Sequence, residues 1–305
     1  MKELVVISGK GGTGKTSLVA AFASLSPDKV LADCDVDAAD LHLVLEPEIR
    51  VRHDFLCGNE AVIRQDDCIG CGACLAYCRY DAVKRQLEEV SGASPRAGEA
   101  VSHIDPLACE GCGVCVDRCP VQVIDFPERN SGEWYLSDTR HGPMVHARLG
   151  IAAENSGKLV SLVRQQAKEV AEAEGKEFIL VDGPPGIGCP VIASMTGASL
   201  VLIVTEPTLS GRHDLERVAG LARHFRIPAV VCINKWDLNP EMSAHIERAA
   251  RALEAQPVGR VRYDRAVTAA QVAGKSVLEY AQNGISGDIN ELWAKLVSLM
   301  GMGRS

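Results

Sequence analysis

Aromatic residues are scarce: Phe, Tyr and Trp make up 4% of the 305 residues, against 47% hydrophobic residues in all. A core with so few rings must rely on Val, Ile, Leu and Ala, the composition of parallel strands buried on both faces. Positive charge is also short. The formal net charge is −8, whereas a general nucleic-acid binder needs clustered Lys and Arg to neutralise phosphates, so no nucleic-acid partner is expected. No apolar run reaches the ~18–20 residues that span a bilayer, and a membrane role is not expected. Met1-Lys2-Glu3-Leu4 leads directly into an apolar stretch, leaving no room for a signal peptide. Cysteine, by contrast, is plentiful. There are twelve, and eight of them fall at regular spacing. Without an export signal, that pattern reads as metal ligands in a reducing cytoplasm, not as disulfides.

The eight form two runs of the form C-x-x-C-x-x-C-x-x-x-C: Cys68, Cys71, Cys74 and Cys78, then Cys109, Cys112, Cys115 and Cys119 followed by Pro120. Each cysteine of the first run recurs 41 positions later in the second. Zinc is the competing metal for paired C-x-x-C units, although two complete runs of four exceed what a single zinc site needs. The other four cysteines carry no such spacing. Cys34 and Cys232 lie in or beside apolar strands and read as packing residues, Cys57 has no partner, and Cys189 sits in Gly186-Ile187-Gly188-Cys189-Pro190.

Outside the cysteine segment the chain alternates strands and helices. Strands are expected over 4–8, 29–33, 178–182, 200–205, 229–234 and 258–261. Helices are expected over 16–23, 156–174, 211–224, 242–255 and 289–300. This alternation implies an α/β fold with a mostly parallel sheet covered by helices on both faces. From about Cys57 to Phe126 the periodicity stops, so the cysteine segment is an insertion. The expected organisation is 1–57 and 129–305 as one nucleotide-binding domain, with 58–128 as a small inserted α+β domain. Ser91-Gly92-Ala93-Ser94-Pro95-Arg96-Ala97-Gly98 reads as a mobile surface loop.

Gly9-Lys10-Gly11-Gly12-Thr13-Gly14-Lys15-Thr16, between a strand and a helix, is a P-loop. Backbone N–H groups of such a loop wrap phosphates, and the helix N-terminus adds partial positive charge. The candidate nucleotide-binding residues are Gly11, Gly12, Thr13, Gly14, Lys15, Thr16 and Ser17. Lys15 would neutralise the β- and γ-phosphates and Thr16 would place its hydroxyl on Mg²⁺. With Lys10, the loop resembles the deviant Walker motif of the MinD/ParA/Mrp-like ATPases and the nitrogenase iron protein. The resemblance implies that Lys10 crosses a dimer interface to the partner's nucleotide, in the manner of an arginine finger. It extends to Asp33-Cys34-Asp35-Val36-Asp37, where Asp35 matches the carboxylate that positions the attacking water and Asp33 a neighbour of the Mg²⁺ shell. In Asp182-Gly183-Pro184-Pro185-Gly186, Asp182 matches the Mg²⁺-holding residue and Gly186 a γ-phosphate sensor. Asn234-Lys235-Trp236-Asp237 resembles the guanine-reading motif of GTPases, but in the MinD-like family this asparagine contacts adenine, so ATP is favoured over GTP.

The cysteine runs resemble those of bacterial ferredoxins, in which each run's fourth cysteine serves the other cluster. That implies one 4Fe–4S cluster on Cys68, Cys71, Cys74 and Cys119 and a second on Cys78, Cys109, Cys112 and Cys115. Arg79 departs from the pattern, which has proline there. The whole chain resembles MinD-superfamily ATPases with an inserted two-cluster ferredoxin domain. The resemblance implies an ATPase using Mg²⁺, a homodimer or a heterodimer with a similar ATPase, and a redox or metal-cofactor assembly partner. On this reading nucleotide-driven dimer closure gates electron transfer, or cofactor delivery, from the clusters. The alternative is a positioning or scaffold ATPase with structural clusters. Relatives of that kind at membranes end in a basic amphipathic helix, whereas here only Lys295 and Arg304 add positive charge to the last helical stretch, which is expected to pack against the sheet.

Overall fold

The computed structural model describes residues 1–26, 28–87, 100–150, 155–282 and 284–302; the loop expected at 91–98 lies outside them. The chain divides into two compact units. One comprises Met1–His53, Glu133–Leu149 and Asn155–Ser305; the other comprises Asp54–Gly132 and Gly150–Glu154.

In chain order the elements are β1 (Lys2–Ser8), α1 (Lys15–Leu25), β2 (Lys29–Asp33), α2 (Leu41–Leu45), β3 (Glu48–Asn59), β4 (Val62–Ile63), α3 (Ala73–Tyr77), β5 (Val83–Leu87), β6 (Ala100–Ile104), α4 (Val114–Asp117) and β7 (Ile124–Asp125). There follow β8 (Glu128–Thr139), β9 (Gly142–Leu149), α5 (Ser156–Ala173), β10 (Phe178–Pro185), α6 (Cys189–Met195), β11 (Leu200–Thr205), α7 (Leu209–His224), β12 (Ala229–Asn234), α8 (Pro240–Ala252), β13 (Gln256–Val261), α9 (Ala266–Val272), α10 (Val277–Tyr280) and α11 (Gly284–Leu299).

Nine strands form one sheet in the order β13-β12-β11-β1-β10-β2-β9-β8-β3. From β13 to β9 every pairing is parallel. The central strands are apolar and buried on both faces; Leu4 to Ile7, Ile179 to Val181 and Val201 to Val204 are all fully buried, as a sheet covered by two helix layers requires. Trp293 of α11 stacks on Phe22 of α1, ring centroids 5.1 Å apart, so the last helix is packed into the core by one of the few aromatic contacts available. Gly259 lets it come close, since a Cβ there would lie 2.9 Å from Leu292.

The strands at the other end, β3, β8 and β9, leave no helix-or-strand signature that the sequence reading used. Residues 48–54 of β3 are all exposed, and its Arg50 and Arg52 pair with Asp138 and Glu133 of β8. A strand solvated on both sides lacks the apolar alternation by which strands are recognised. The chain leaves the first unit within β3, after His53, and re-enters it within β8, at Glu133. Strand continuity hides both boundaries from a reading based on pattern.

The second unit is small. Among the described residues its core cluster consists of Ala61, Ile63, Cys74, Val83 and Ile124, with five further cysteines (Cys68, Cys78, Cys109, Cys115 and Cys119) and three apolar side chains (Ile104, Val116 and Phe126) packed against them. The 41-residue repeat is reproduced in its strand pairing. Val62 pairs with Asp125 and Ile63 with Ile124; 41 positions on, His103 pairs with Lys84 and Ile104 with Val83. The unit is therefore two copies of one motif, each lending a strand to the other's ladder. Tyr77 and Arg118, also mates in the repeat, stack on each other with the guanidinium 5.1 Å from the ring centroid.

Candidate functional site

The parallel sheet gathers its chemistry at the carboxyl ends of its strands, where ligands of open α/β sheets bind. Ser8, Asp33, Thr205 and Asn234 each close a strand there. A cavity of about 380 Å³ opens at this edge, lined by Gly11 to Ser17 together with Asp35, Asn234 and Tyr263, among others. Its size is that of a nucleotide-scale ligand site. Gly14 (φ 88°) caps α1 in the left-handed region, and a Cβ there would lie 2.3 Å from Asn234 Nδ2. Both conditions demand glycine.

Side chains hold the loop from behind. Asn234 Nδ2 donates to the Thr13 carbonyl (2.7 Å) and Lys235 Nζ to the Gly12 carbonyl (3.0 Å). Asn234 Oδ1 accepts from the Lys235 N–H (3.0 Å). The asparagine expected to contact a base thus has both ends of its amide engaged in shaping the loop. Asp237 of the same motif accepts from the Tyr263 N–H (2.7 Å). It does not line the cavity, whose wall here is formed by Arg262, Tyr263 and Asp264.

Lys15 lies buried at the foot of the cavity, donating to Asp182 Oδ1 (2.7 Å) and Asp35 Oδ2 (3.3 Å). Burial alone would lower its pKa, but Asp182, Asp35 and Asp33 outweigh it and hold the ammonium at about 12. Asp33 pairs in register with Asp182 across β2 and β10. Its pKa is pushed up to about 8 by burial and then by the charge of Asp182, against the opposing pull of Lys15. Asp35 is raised too, chiefly by burial. Asp33 Oδ2 and Asp182 Oδ2 are buried and accept no hydrogen bond. Buried carboxylate oxygens are normally paired. Lys15 Nζ, bonded to Asp182, also lies 3.5 Å from the Thr16 hydroxyl. Two unpaired carboxylate oxygens and this hydroxyl are a donor set suited to a hard, hydrated cation, so these residues fit Mg²⁺.

Lys10 is not free. Its Nζ forms an ion pair with Glu206 and donates to Ser210 Oγ (3.0 Å). Lys235 reaches the other oxygen of Glu206 (3.4 Å). Burial raises the Glu206 carboxyl, yet Lys10 and Lys235 outweigh burial and hold it below the usual range. Glu206 escaped the sequence reading; its only signal is its place directly after β11. Gly186 (φ 98°) donates its N–H to the Ser8 carbonyl (2.9 Å), so that group is occupied within the fold. Cys189, exposed, opens α6, while Cys34 and Cys232 are fully buried in the sheet. The far end of α6 is clamped by Arg164, which donates to the carbonyls of Ala193 (2.7 Å) and Thr196 (2.8 Å) while gripping Glu3 through two 2.7 Å bonds.

In the second unit the eight cysteines segregate into two cavities. One is lined by Cys68, Cys71, Cys74 and Cys119, the other by Cys78, Cys109, Cys112 and Cys115. Each quartet therefore takes three cysteines from one run and the fourth from the other. Among the described residues no three His, Cys, Asp or Glu side chains are spaced to hold a single metal ion. Thiols ranged round a cavity, not meeting at a point, suit a multi-iron cluster better than one tetrahedral zinc.

Comparison with known proteins agrees with both halves of this description. Residues 67–123 match the 4Fe-4S dicluster domain family. The fold is that of MinD: a Pyrococcus horikoshii septum site-determining protein MinD complexed with Mg-ADP superposes with a TM-score of 0.58 at 18% identity, covering 99% of this chain and 98% of that one. Fold and motifs together define a P-loop domain of the MinD/ParA fold with a 4Fe–4S dicluster domain set into it. Uncharacterized protein MJ0578 of Methanocaldococcus jannaschii is 30% identical over 241 residues, 78% of this chain and 79% of the relative. The chain belongs to the same family as that protein. A second M. jannaschii protein, MJ0579, is 26% identical over 96% of this chain and 97% of its own length. Over 60 residues, 20% of this chain, there is also 30% identity to pyruvate synthase subunit PorD of Methanothermobacter marburgensis, covering 56% of that subunit. Among the described residues no helix is long and apolar enough to cross a membrane.

Proposed function

We propose that this protein hydrolyses ATP in a dimer whose closure gates electron transfer from its two 4Fe–4S clusters to a partner protein. The observation that carries this reading is the coexistence, in one chain, of the Lys10-bearing P-loop and two separate cysteine quartets. Gly11 to Ser17 bind the phosphates, and Lys15 exchanges its bonds to Asp182 and Asp35 for phosphate oxygens. Thr16, Asp33 and Asp182 hold Mg²⁺, which when bound neutralises the charge that develops on the transferring phosphoryl group. Release of Asp35 from Lys15 leaves its carboxylate to position the attacking water. Lys10 leaves Glu206 to reach the second subunit's nucleotide. Gly186 gives up Ser8 for the γ-phosphate, which couples nucleotide state to α6. Engagement of Asp237 by Tyr263 favours ATP over GTP. The PorD similarity supports a redox partner for the cluster unit.

The test is a pair of variants. Lys10→Ala should keep full iron and nucleotide binding but lose ATP-dependent dimerisation in light scattering. Asp35→Ala should dimerise with ATP while hydrolysis falls by about 10²–10⁴-fold. Undiminished dimerisation of Lys10→Ala would remove the trans role of the lysine. Electron transfer to an artificial acceptor that is indifferent to ATP, in protein that dimerises normally, would favour the scaffold alternative.

A further inference from the structure

The repeat gives every residue of one cluster pocket a mate in the other, so a difference between mates marks where the pockets diverge. Gly72 and Gly113 are such mates. Both have positive φ (74° and 72°), and each caps the short helix that carries the third cysteine of its run, Cys74 or Cys115. What packs on them differs. A Cβ at Gly72 would meet the Arg85 guanidinium, 3.2 Å from Nη2, whereas a Cβ at Gly113 would meet the Phe126 ring, 3.4 Å from Cε1. Arg85 and Phe126 are themselves 41 residues apart. One position of the repeat thus places a cation against the cysteine loop of the first quartet and an apolar ring against that of the second.

The cation is pinned. Arg85 Nη2 donates to the Gly70 carbonyl (3.0 Å), between Cys68 and Cys71. Phe126 packs with the core that includes Cys109 and Cys115. Another guanidinium, that of Arg129, approaches the Cys109 carbonyl at 3.4 Å; its mate, position 88, lies outside the described residues.

We infer that this position sets the electrostatics of the two clusters separately. Arg85 raises the reduction potential of the cluster on Cys68, Cys71, Cys74 and Cys119, a contribution that Phe126 does not make to the cluster on Cys78, Cys109, Cys112 and Cys115. The inference rests on the reading that both quartets hold clusters. Its physical basis is that one-electron reduction adds one negative charge to a cluster. A neighbouring cation stabilises the added charge, while an apolar ring excludes the water that would otherwise solvate it.

The experiment is a potentiometric titration of the anaerobically purified full chain with dithionite, followed by EPR, with iron and sulfide measured for every variant. Arg85→Leu should lower the potential of one cluster and leave the other in place. Arg85→Lys should restore most of the shift, which a packing role for the guanidinium would not. Phe126→Arg should raise the potential of the second cluster alone. Fully loaded Arg85→Leu protein with unchanged potentials would overturn the inference and leave the clusters standing. If Arg85→Leu loses iron, Phe126→Arg decides, and an unmoved second-cluster potential in that fully loaded variant would overturn it. Wild-type protein without iron or sulfide would instead overturn the cluster reading itself.

Discussion

Asp33, at the end of β2, stands in register beside Asp182 within β10, and each has a buried oxygen without a hydrogen-bond partner. With its pKa near 8, Asp33 is mostly protonated at neutral pH in the nucleotide-free protein. With Asp33 in the proposed Mg²⁺ site, and metal ligands having to be deprotonated, Mg²⁺ binding would displace that proton. The apparent affinity for Mg-nucleotide should therefore rise with pH up to about 8 and level off above it. Proton release on binding, read by calorimetry in buffers of different ionisation enthalpy, should fade over the same interval. In Asp33→Asn the pH dependence should flatten. The sign for stability runs the other way: between the ordinary carboxylate pKa and about 8 the native state holds the extra proton, so Asp33 costs stability as pH rises through that window. Lys15, Asp35 and Asp182 were legible in the sequence because their motifs announce them. Glu206 and Arg85 were not, because each matters through a neighbour far along the chain, Lys10 in one case and the glycine-capped cysteine loop in the other.

At the scale of elements, the loop between β11 and α7 holds Lys10 and Lys235 on one carboxylate. Thr208 caps α7 by accepting from the Gly211 N–H (2.9 Å), and Gly211 packs against the Glu206 carbonyl, where a Cβ would lie at 2.3 Å, so the loop is fixed in place. Withdrawing Lys10 leaves Lys235 as the partner of Glu206, which keeps the carboxylate from being stranded. Glu206→Gln should lower the ATP concentration needed for dimerisation, with a smaller effect in 0.5 M salt, where an attraction between partly exposed charges is already screened. An unchanged concentration dependence would mean that the ion pair does not restrain Lys10. Elements were read well where burial was complete: β2, β11 and β12 fall on the residues that apolar patterning marked. The failures lie in β3, β8 and β9. Between β3 and β8 the side chains that join the strands include arginines and carboxylates, which carry no periodic apolar signal, whereas β9 is a buried run, Pro143 to Ala147, that shows no alternation either.

For the whole molecule, the contrast between the two cores is the informative quantity. The nucleotide unit buries its sheet between helices, while among the described residues the core cluster of the other unit has five buried residues. A unit so poor in apolar burial needs metal or another staple to hold its fold. Chelation of iron under oxidising conditions should abolish amide protection across 54–87 and 100–132 while leaving β1, β10 and β11 protected in hydrogen exchange. Equal loss in both units would show that the sheet depends on the clusters as well. The way the quartets are shared has a further consequence. Because each quartet draws its fourth cysteine from the opposite run, clusters held by them would form a pair of interlocked cross-links, and neither half of the repeat owns a complete quartet. Seating the first cluster brings together the two halves whose meeting creates the second site, so loading should be cooperative. Native mass spectrometry during reconstitution should then show empty and doubly loaded chains, with the singly loaded form scarce throughout.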